Sequence, residues 1–162
     1  MILIEAILSG IWATFFMDSM AKILTRRGLI HPFINPEAIG RWFLYMCKGK
    51  FAHEDINLTP ALKNERTWSH ISHNLIGIVL AGIYSLLAIN HHGVGENVWM
   101  SLVYGIITVV LPWFWLLPSI GLGVMAKKST RRNLILRTSF INHTNFGVGL
   151  SVWYLVFHRF FL

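Results

Sequence analysis

TWSHISHNLIGIVLAGIYSLLAI, from Thr67 to Ile89, is the stretch that decides the fold. It begins with two histidines, His70 and His73, and is apolar after Asn74. At about 1.5 Å per residue, a helix of this length covers roughly 35 Å, slightly more than the bilayer's hydrocarbon core of about 30 Å. We therefore predict a transmembrane helix over residues 67–89 with polar first turns.

The composition is typical of a membrane protein. The chain has 162 residues, of which 54% are hydrophobic and 13% are charged, whereas soluble domains have about 25% charged residues. The formal net charge of +7 indicates membrane topology and contact with anionic lipid headgroups, and nucleic-acid binding is not expected. At this length, residues 1–162 are expected to form a single integral membrane domain.

Three further apolar segments, residues 2–24, 98–117 and 138–160, complete a predicted set of four transmembrane helices. The fold class is therefore all-α and polytopic. Pro112 lies inside the third segment and predicts a kink or an early stop, because proline lacks a backbone donor and clashes with the preceding turn.

Residues 36–48 are predicted to form an amphipathic helix that lies on the membrane between the first two spans. Its predicted apolar side consists of Ile39, Trp42, Phe43 and Met46, and its polar side of Glu37, Arg41, Tyr45 and Lys48. After it, His53, Glu54, Asp55 and Glu65 lie in one connecting segment, which is either a solvated loop or a loop that folds back over the helix bundle.

The distribution of basic residues predicts the topology. Eight of the 14 lie in residues 22–66 and five in residues 127–137, so both segments are expected on the cytoplasmic side of a bacterial inner membrane, with both termini outside. The connection 90–97 has no Lys or Arg. Its neighbouring His91 and His92 are interpreted as part of a turn rather than a site.

This topology brings Asp18, His73 and His143 to one depth near the cytoplasmic side, where Asn74 and Asn142 add amides and His70 lies nearer the mouth. Charged and polar groups inside a bundle are costly unless they satisfy one another. A shared cavity open to the cytoplasm is therefore predicted, unless Asp18 reaches the interface or pairs with Lys22, four residues later on the same face.

Several short motifs occur in order along nearly the whole chain: GRWF at 40–43, KGKFAH at 48–53, the stretch 60–68 with Glu65, His73, the Pro112 and Pro118 span with GLG, and His143 followed by FG at 146–147. Together they resemble a family of small bacterial four-helix inner-membrane proteins known only as a domain of unknown function. The resemblance implies a fold and a bacterial inner-membrane location, and no activity.

Three functions remain open from the residues. His73, His143 and Asp18, with His70 or His53 as a fourth ligand, could bind a transition metal such as zinc, iron or copper for membrane-associated chemistry; bis-histidine haem ligation ranks below this. A small proton-coupled transporter would use the same groups as a proton relay. A scaffold that binds anionic lipid would need no chemistry. A homodimer is open, because Gly77 and Ala81 form a small-xxx-small pair.

Overall fold

The computed structural model describes residues 2–32, 34–90, 98–157 and 160. Within these residues the protein is all-α, with two short 3₁₀ turns at Ile56–Leu58 and Val124–Ala126. The helices are α1 (Ile2–Arg26), α2 (Pro36–Cys47), α3 (Glu65–Asn90), α4 (Val98–Ser119) and α5 (Arg132–Val156).

Three of the helices in the described part of the chain are long and apolar enough to cross a membrane: α1 from Leu3, α3 as far as Ala88, and α4 over its whole length. Helix α5 has 25 residues, but its first half contains basic, amide and hydroxyl side chains that lower its hydropathy. The all-α class and three membrane-span-like helices are therefore confirmed, and the fourth predicted span at 138–160 stays a prediction.

Helix α1 packs between α3 and α5, α4 packs against α5, and α2 packs against α3. The small pair on α3 serves this packing. Gly77 faces Thr14 and the backbone of Gly10 on α1, and Ala81 is fully buried in the core formed by α1, α3 and α5. The stripe that left a homodimer open is thus occupied within the chain.

Helix α2 forms almost where it was predicted, but its two faces differ from the prediction. Trp42 and Phe43 are buried in a core with the end of α4 rather than facing lipid. Arg41, assigned to the polar side, has a side chain only 14% exposed because it pairs with Glu65 on α3. Hydrophobic periodicity could not detect this, because it places every charged residue on the solvent side.

The connecting segment between α2 and α3 folds back onto the end of α4. The backbone N–H of His53 donates to the Ser119 carbonyl at 2.8 Å, and that of Ile56 donates to the Ile120 carbonyl at 3.1 Å. Glu54 and Asp55 are exposed, as in an ordinary loop, whereas His53 and Glu65 are buried. The alternative in which the loop folds back is therefore the correct one for these two residues.

The sequence predicted a kink or an early stop at Pro112. The regular α-helix indeed ends at Ile107, before the proline, although the chain does not leave α4 for a loop until after Ser119. The chain passes through a π-helical segment at Pro112–Leu116 and remains helical to Ser119. The N–H of Leu117 donates to the Pro112 carbonyl, five residues back. Because proline cannot donate, the hydrogen-bond ladder changes its register here, and such π segments are frequent at functional sites.

Candidate functional site

A cavity of about 200 Å³ lies between the helices, lined by residues of all five. Its walls are mostly apolar and include the indole rings of Trp42 and Trp115, whose centroids are 5.5 Å apart. The π-helical segment contributes to one wall. The polar residues that line the cavity are Thr14, Asp18, His73, Ser139, Asn142 and His143.

Asp18 and His73 form a hydrogen-bonded pair across the interface between α1 and α3. The Nε2 of His73 donates to Oδ1 of Asp18 at 3.1 Å. The two side chains are 43% and 42% exposed, so the helices do not enclose the pair. The sequence left two alternatives for Asp18, a position facing the cavity, or one that reaches the interface or pairs with Lys22; the structure shows contact with His73, which lines the cavity, and a half-exposed side chain.

His143 on α5 bonds to α4 instead. Its Nδ1 lies 2.7 Å from Oγ1 of Thr108, and that hydroxyl lies 2.6 Å from the Gly105 carbonyl. A hydroxyl has one proton, so when Thr108 donates it to the carbonyl, Nδ1 of His143 must be the donor to Thr108. The acceptor nitrogen of His143 is then Nε2.

Three polar atoms of residues that line the cavity have no hydrogen-bond partner: Oγ1 of Thr14, Nε1 of Trp42 and Oδ1 of Asn142. Thr14 and Trp42 are only 1% and 2% exposed. A buried polar atom without a partner costs roughly 1–3 kcal/mol. The three atoms are enclosed in the packing around the cavity, so each carries this cost in the folded protein.

The structure brings Asp18, His73 and His143 around this cavity but not the other two predicted metal ligands. His70 is exposed and does not line the cavity, and its carbonyl accepts a bond from the Asn74 amide. His53 lies in the loop against α4. In the part of the chain that the structure describes, no three His, Cys, Asp or Glu residues form a group that could hold a metal. His91 and His92 lie outside the described residues.

Thr14, Trp42 and Thr108 were missed by the sequence reasoning. Thr14 had a usable signal, because it lies four residues before Asp18 and therefore on the same helix face. Trp42 was read as part of the apolar side of a surface helix, and its place in the cavity wall could be assigned only once the position of α2 was known. Thr108 could not be singled out, because one threonine in an apolar stretch does not indicate a functional residue.

His53 belongs to a separate buried cluster. Its Nδ1 lies 3.1 Å from Oγ1 of Thr59, its ring meets the Tyr45 ring edge-on, and its Nε2 is buried without a partner. Burial lowers the pKa of His53, and the neighbouring positive charge of Lys50 lowers it further. The neutral imidazole is therefore the form that the folded protein favours.

We expect this histidine to make the protein less stable at acid pH. The unfolded chain binds a proton at this residue near pH 6.5, whereas the folded chain binds it at lower pH, so stability falls as the pH drops below about 6.5. The stability lost between about pH 7.5 and about pH 5 should therefore be smaller in His53→Asn than in the wild type. Unfolding in detergent micelles at several pH values measures this, with His31→Asn at an exposed position as the control. Equal pH dependence in wild type and His53→Asn would contradict it.

The fold and the cavity define an all-α protein with three membrane-span-like helices around a partly polar cavity. The chain belongs to the family described as "Protein of unknown function (DUF2938)", which matches residues 7–157. The family predicted from the ordered motifs is confirmed. Neither the comparison with curated proteins nor that with solved structures found a match.

Proposed function

We propose that this protein is a small proton-coupled membrane carrier whose substrate site is the cavity and whose proton-binding group is the Asp18–His73 pair. The proposal rests on the position of this pair: both side chains are half exposed, and both residues line the cavity. Histidine changes its charge near neutral pH, and an ionisable residue within a membrane helix is a functional candidate by default.

Proton binding and solute binding would be coupled because both take place at the same cavity. A proton on the pair changes the charge and the donor pattern at the cavity wall, because a protonated imidazole donates from both ring nitrogens. A solute in the cavity and a proton on the pair therefore influence each other's affinity, and by linkage this influence is reciprocal. The π-helical segment at Pro112–Leu116 forms part of the cavity wall, and its hydrogen-bond register is irregular. A helix that bends during transport would bend at such a segment.

The cavity favours this function over the other two. A cluster that only locks helices together would bury its charged members, whereas the Asp18 and His73 side chains beside the cavity are 43% and 42% exposed. A metal centre needs at least three converging protein ligands, and none is found among the described residues. We further propose a bacterial inner membrane, with the basic segments 22–66 and 127–137 and the cavity mouth on the cytoplasmic side.

Proton entry into liposomes tests the proposal. Purified protein is reconstituted in vesicles loaded with a pH-sensitive dye, and the initial rate of acidification is followed after an external acid pulse under a potassium diffusion potential. Cys47 is the single cysteine of the chain and is exposed, so an impermeant maleimide reports which orientation the molecules have. We expect proton entry several-fold faster than in empty vesicles.

The variants identify the responsible pair. Asp18→Asn and His73→Gln are expected to reduce proton entry to the rate of empty vesicles, because each removes one ionisable member of the hydrogen-bonded pair. His70→Gln is the matched control, since it changes an exposed histidine one turn earlier on α3. Wild-type entry no faster than in empty vesicles, or full entry in Asp18→Asn, would reject the carrier.

A further inference from the structure

The side chains around the cavity also indicate the class of substrate that it takes. We infer that the cavity binds a small organic cation with an apolar, aromatic body, and that the Asp18 carboxylate holds its positive charge. This inference names the substrate of the carrier proposed above, so it rests on that assignment of the cavity. It is supported by the charge of the wall, the accessibility of Asp18, the indole rings and the volume.

The titratable groups of the cavity wall make it negative rather than positive. Asp18 on α1 is the carboxylate of the wall, and His73 on α3 and His143 on α5 are its imidazoles, while α2 and α4 contribute no titratable side chain among the described residues. No lysine or arginine in the described part of the chain lines the cavity, and this includes Lys22, one turn after Asp18. When both imidazoles are neutral, the wall therefore has a net negative charge, although the chain has a formal net charge of +7.

The Asp18 carboxylate is accessible and has bonding capacity left. Its side chain is 43% exposed, and its Oδ1 accepts one hydrogen bond, from Nε2 of His73. An ionised carboxylate has about four lone-pair positions, so this bond occupies one of them. A cation that enters the cavity therefore finds an opposite charge to offset its lost hydration, whereas an anion would meet the same carboxylate without a basic residue in the wall.

The rest of the wall suits an organic cation. It contains the indole rings of Trp42 and Trp115, whose centroids are 5.5 Å apart and whose planes meet at 75°. Indole attracts cations more strongly than the other aromatic side chains do, and aromatic rings recognise quaternary ammonium groups in this way. Metal cations such as Mg²⁺ need several oxygen ligands or waters, whereas a mostly apolar wall suits an apolar body.

The volume limits the size of the cation. A cavity of about 150 Å³ lined by apolar side chains binds benzene. The present cavity of about 200 Å³ is somewhat larger, so it suits a single ring with a small ammonium group.

The proton and the cation exclude each other at this site. A proton bound to the Asp18–His73 pair cancels the negative charge of the wall, and a cation beside Asp18 opposes protonation of His73 by repulsion between like charges. By linkage, each lowers the affinity for the other by the same factor. The proposed carrier is therefore an exchanger of organic cations for protons.

The test compares two probes of the same shape. Benzyltrimethylammonium has a permanent positive charge, and neopentylbenzene has carbon in place of its nitrogen and no charge. Binding is measured by equilibrium dialysis at about pH 8, where histidine is neutral, against the protein in phosphatidylcholine nanodiscs, with empty nanodiscs subtracted for partition into lipid. We expect saturable binding of the cation and at least about tenfold weaker binding of the uncharged probe, which lacks both the charge attraction and the cation–π contact.

The same assay at lower pH tests the competition with protons. Histidine changes its charge near neutral pH, so lowering the pH to about 5 should weaken binding of benzyltrimethylammonium several-fold. His73→Gln keeps the carboxylate and removes the competing proton site. This variant should bind the cation at about pH 8 and lose most of the pH dependence.

The carboxylate variants localise the binding. Asp18→Asn keeps the shape of the side chain and removes its charge, and it is expected to weaken cation binding by about tenfold or more. Glu54→Gln is the matched control, because it makes the same chemical change at an exposed residue that does not line the cavity. If Asp18→Asn fails to fold, the pH dependence of the wild type and of His73→Gln decides.

Absence of saturable cation binding, equal or tighter binding of the uncharged probe, full binding in Asp18→Asn, or unchanged pH dependence in His73→Gln would overturn the inference. The assay uses no proton gradient, so it is independent of the liposome experiment. Proton entry without cation binding would reject only the substrate class. Cation binding without proton entry would reject the carrier and keep the cation site.

Discussion

Replacing Glu65 by alanine is expected to destabilise the protein by about 3–5 kcal/mol, the cost of breaking a buried ion pair by removing one partner. Arg41 Nε lies 2.6 Å from Oε1 of Glu65, and Nη2 lies 3.0 Å from Oε2. The two side chains are only 14% and 7% exposed. Without Glu65, the guanidinium would remain buried with no negative charge to balance it.

The same carboxylate has a second function that the substitution also removes. Its Oε1 accepts a hydrogen bond from the Leu62 backbone N–H at 2.6 Å, which ties the connecting segment to the beginning of α3. Arg41 in turn donates to the carbonyls of Ile56 and Thr59 at 3.1 and 3.0 Å. Glu65 therefore fixes α2, the loop and α3 relative to one another.

Reversible unfolding in mixed detergent micelles measures the effect. Glu54→Ala is the matched control, because it removes an exposed carboxylate from the same segment, and it should change the free energy of unfolding by no more than about 0.5 kcal/mol. Glu65→Gln should cost less than Glu65→Ala, since the amide oxygen can still accept from Arg41. Equal stability of Glu65→Ala and Glu54→Ala would contradict the conclusion that the Arg41–Glu65 pair holds α2, the loop and α3 together.

The sequence predicted most of the helices because their signals are local. An apolar run sets the length of α3, and a proline at a helix start with a following apolar stripe marks α2. The bounds of the amphipathic helix, predicted as residues 36–48, differ from Pro36–Cys47 by one residue. The sequence also placed Asp18, His73 and His143 at one level, and the structure puts all three around one cavity, because the order of the helices and the position along each one set that level.

The partners of the polar residues depend on helix rotation and packing, which the sequence does not encode locally. Asp18 had two candidate arrangements until α1 and α3 were placed side by side. Arg41 was assigned to the solvent because its partner lies 24 positions later, beyond any helical period. His53 was grouped with His73 as a metal ligand because both are histidines, although the loop that carries it packs elsewhere.

The cavity results from the same packing. Trp42 comes from α2, Thr14 from α1 and Asn142 from α5, so the cavity wall is assembled from helices that are distant in the sequence. The position of α5 decides the shape of this wall, and α5 is held close to α4 by Gly105 and Gly147.

Replacing Gly105 by alanine is expected to force α4 and α5 apart. A Cβ at this position would overlap the backbone of Gly147 and lie 2.7 Å from the His143 carbonyl. Backbone atoms cannot move aside as a side chain can, so the helices themselves must shift. Overpacking of a core costs about 1–3 kcal/mol, and a contact made by backbone on both sides belongs at the upper end of that range.

The matched control is Gly82→Ala on α3, where the added Cβ would meet only the Ala6 Cβ at 3.5 Å, an ordinary van der Waals distance. Alanine is preferred over glycine in a helix by up to about 1 kcal/mol, so this variant should be as stable as the wild type or more stable. Unfolding in mixed micelles compares the two substitutions, which are chemically identical and differ only in the space around them. Because a shift of α5 also displaces Asn142 and His143 in the cavity wall, Gly105→Ala should lose proton entry, whereas Gly82→Ala should keep it. Equal stability of the two variants would mean that α4 and α5 do not touch through their backbones.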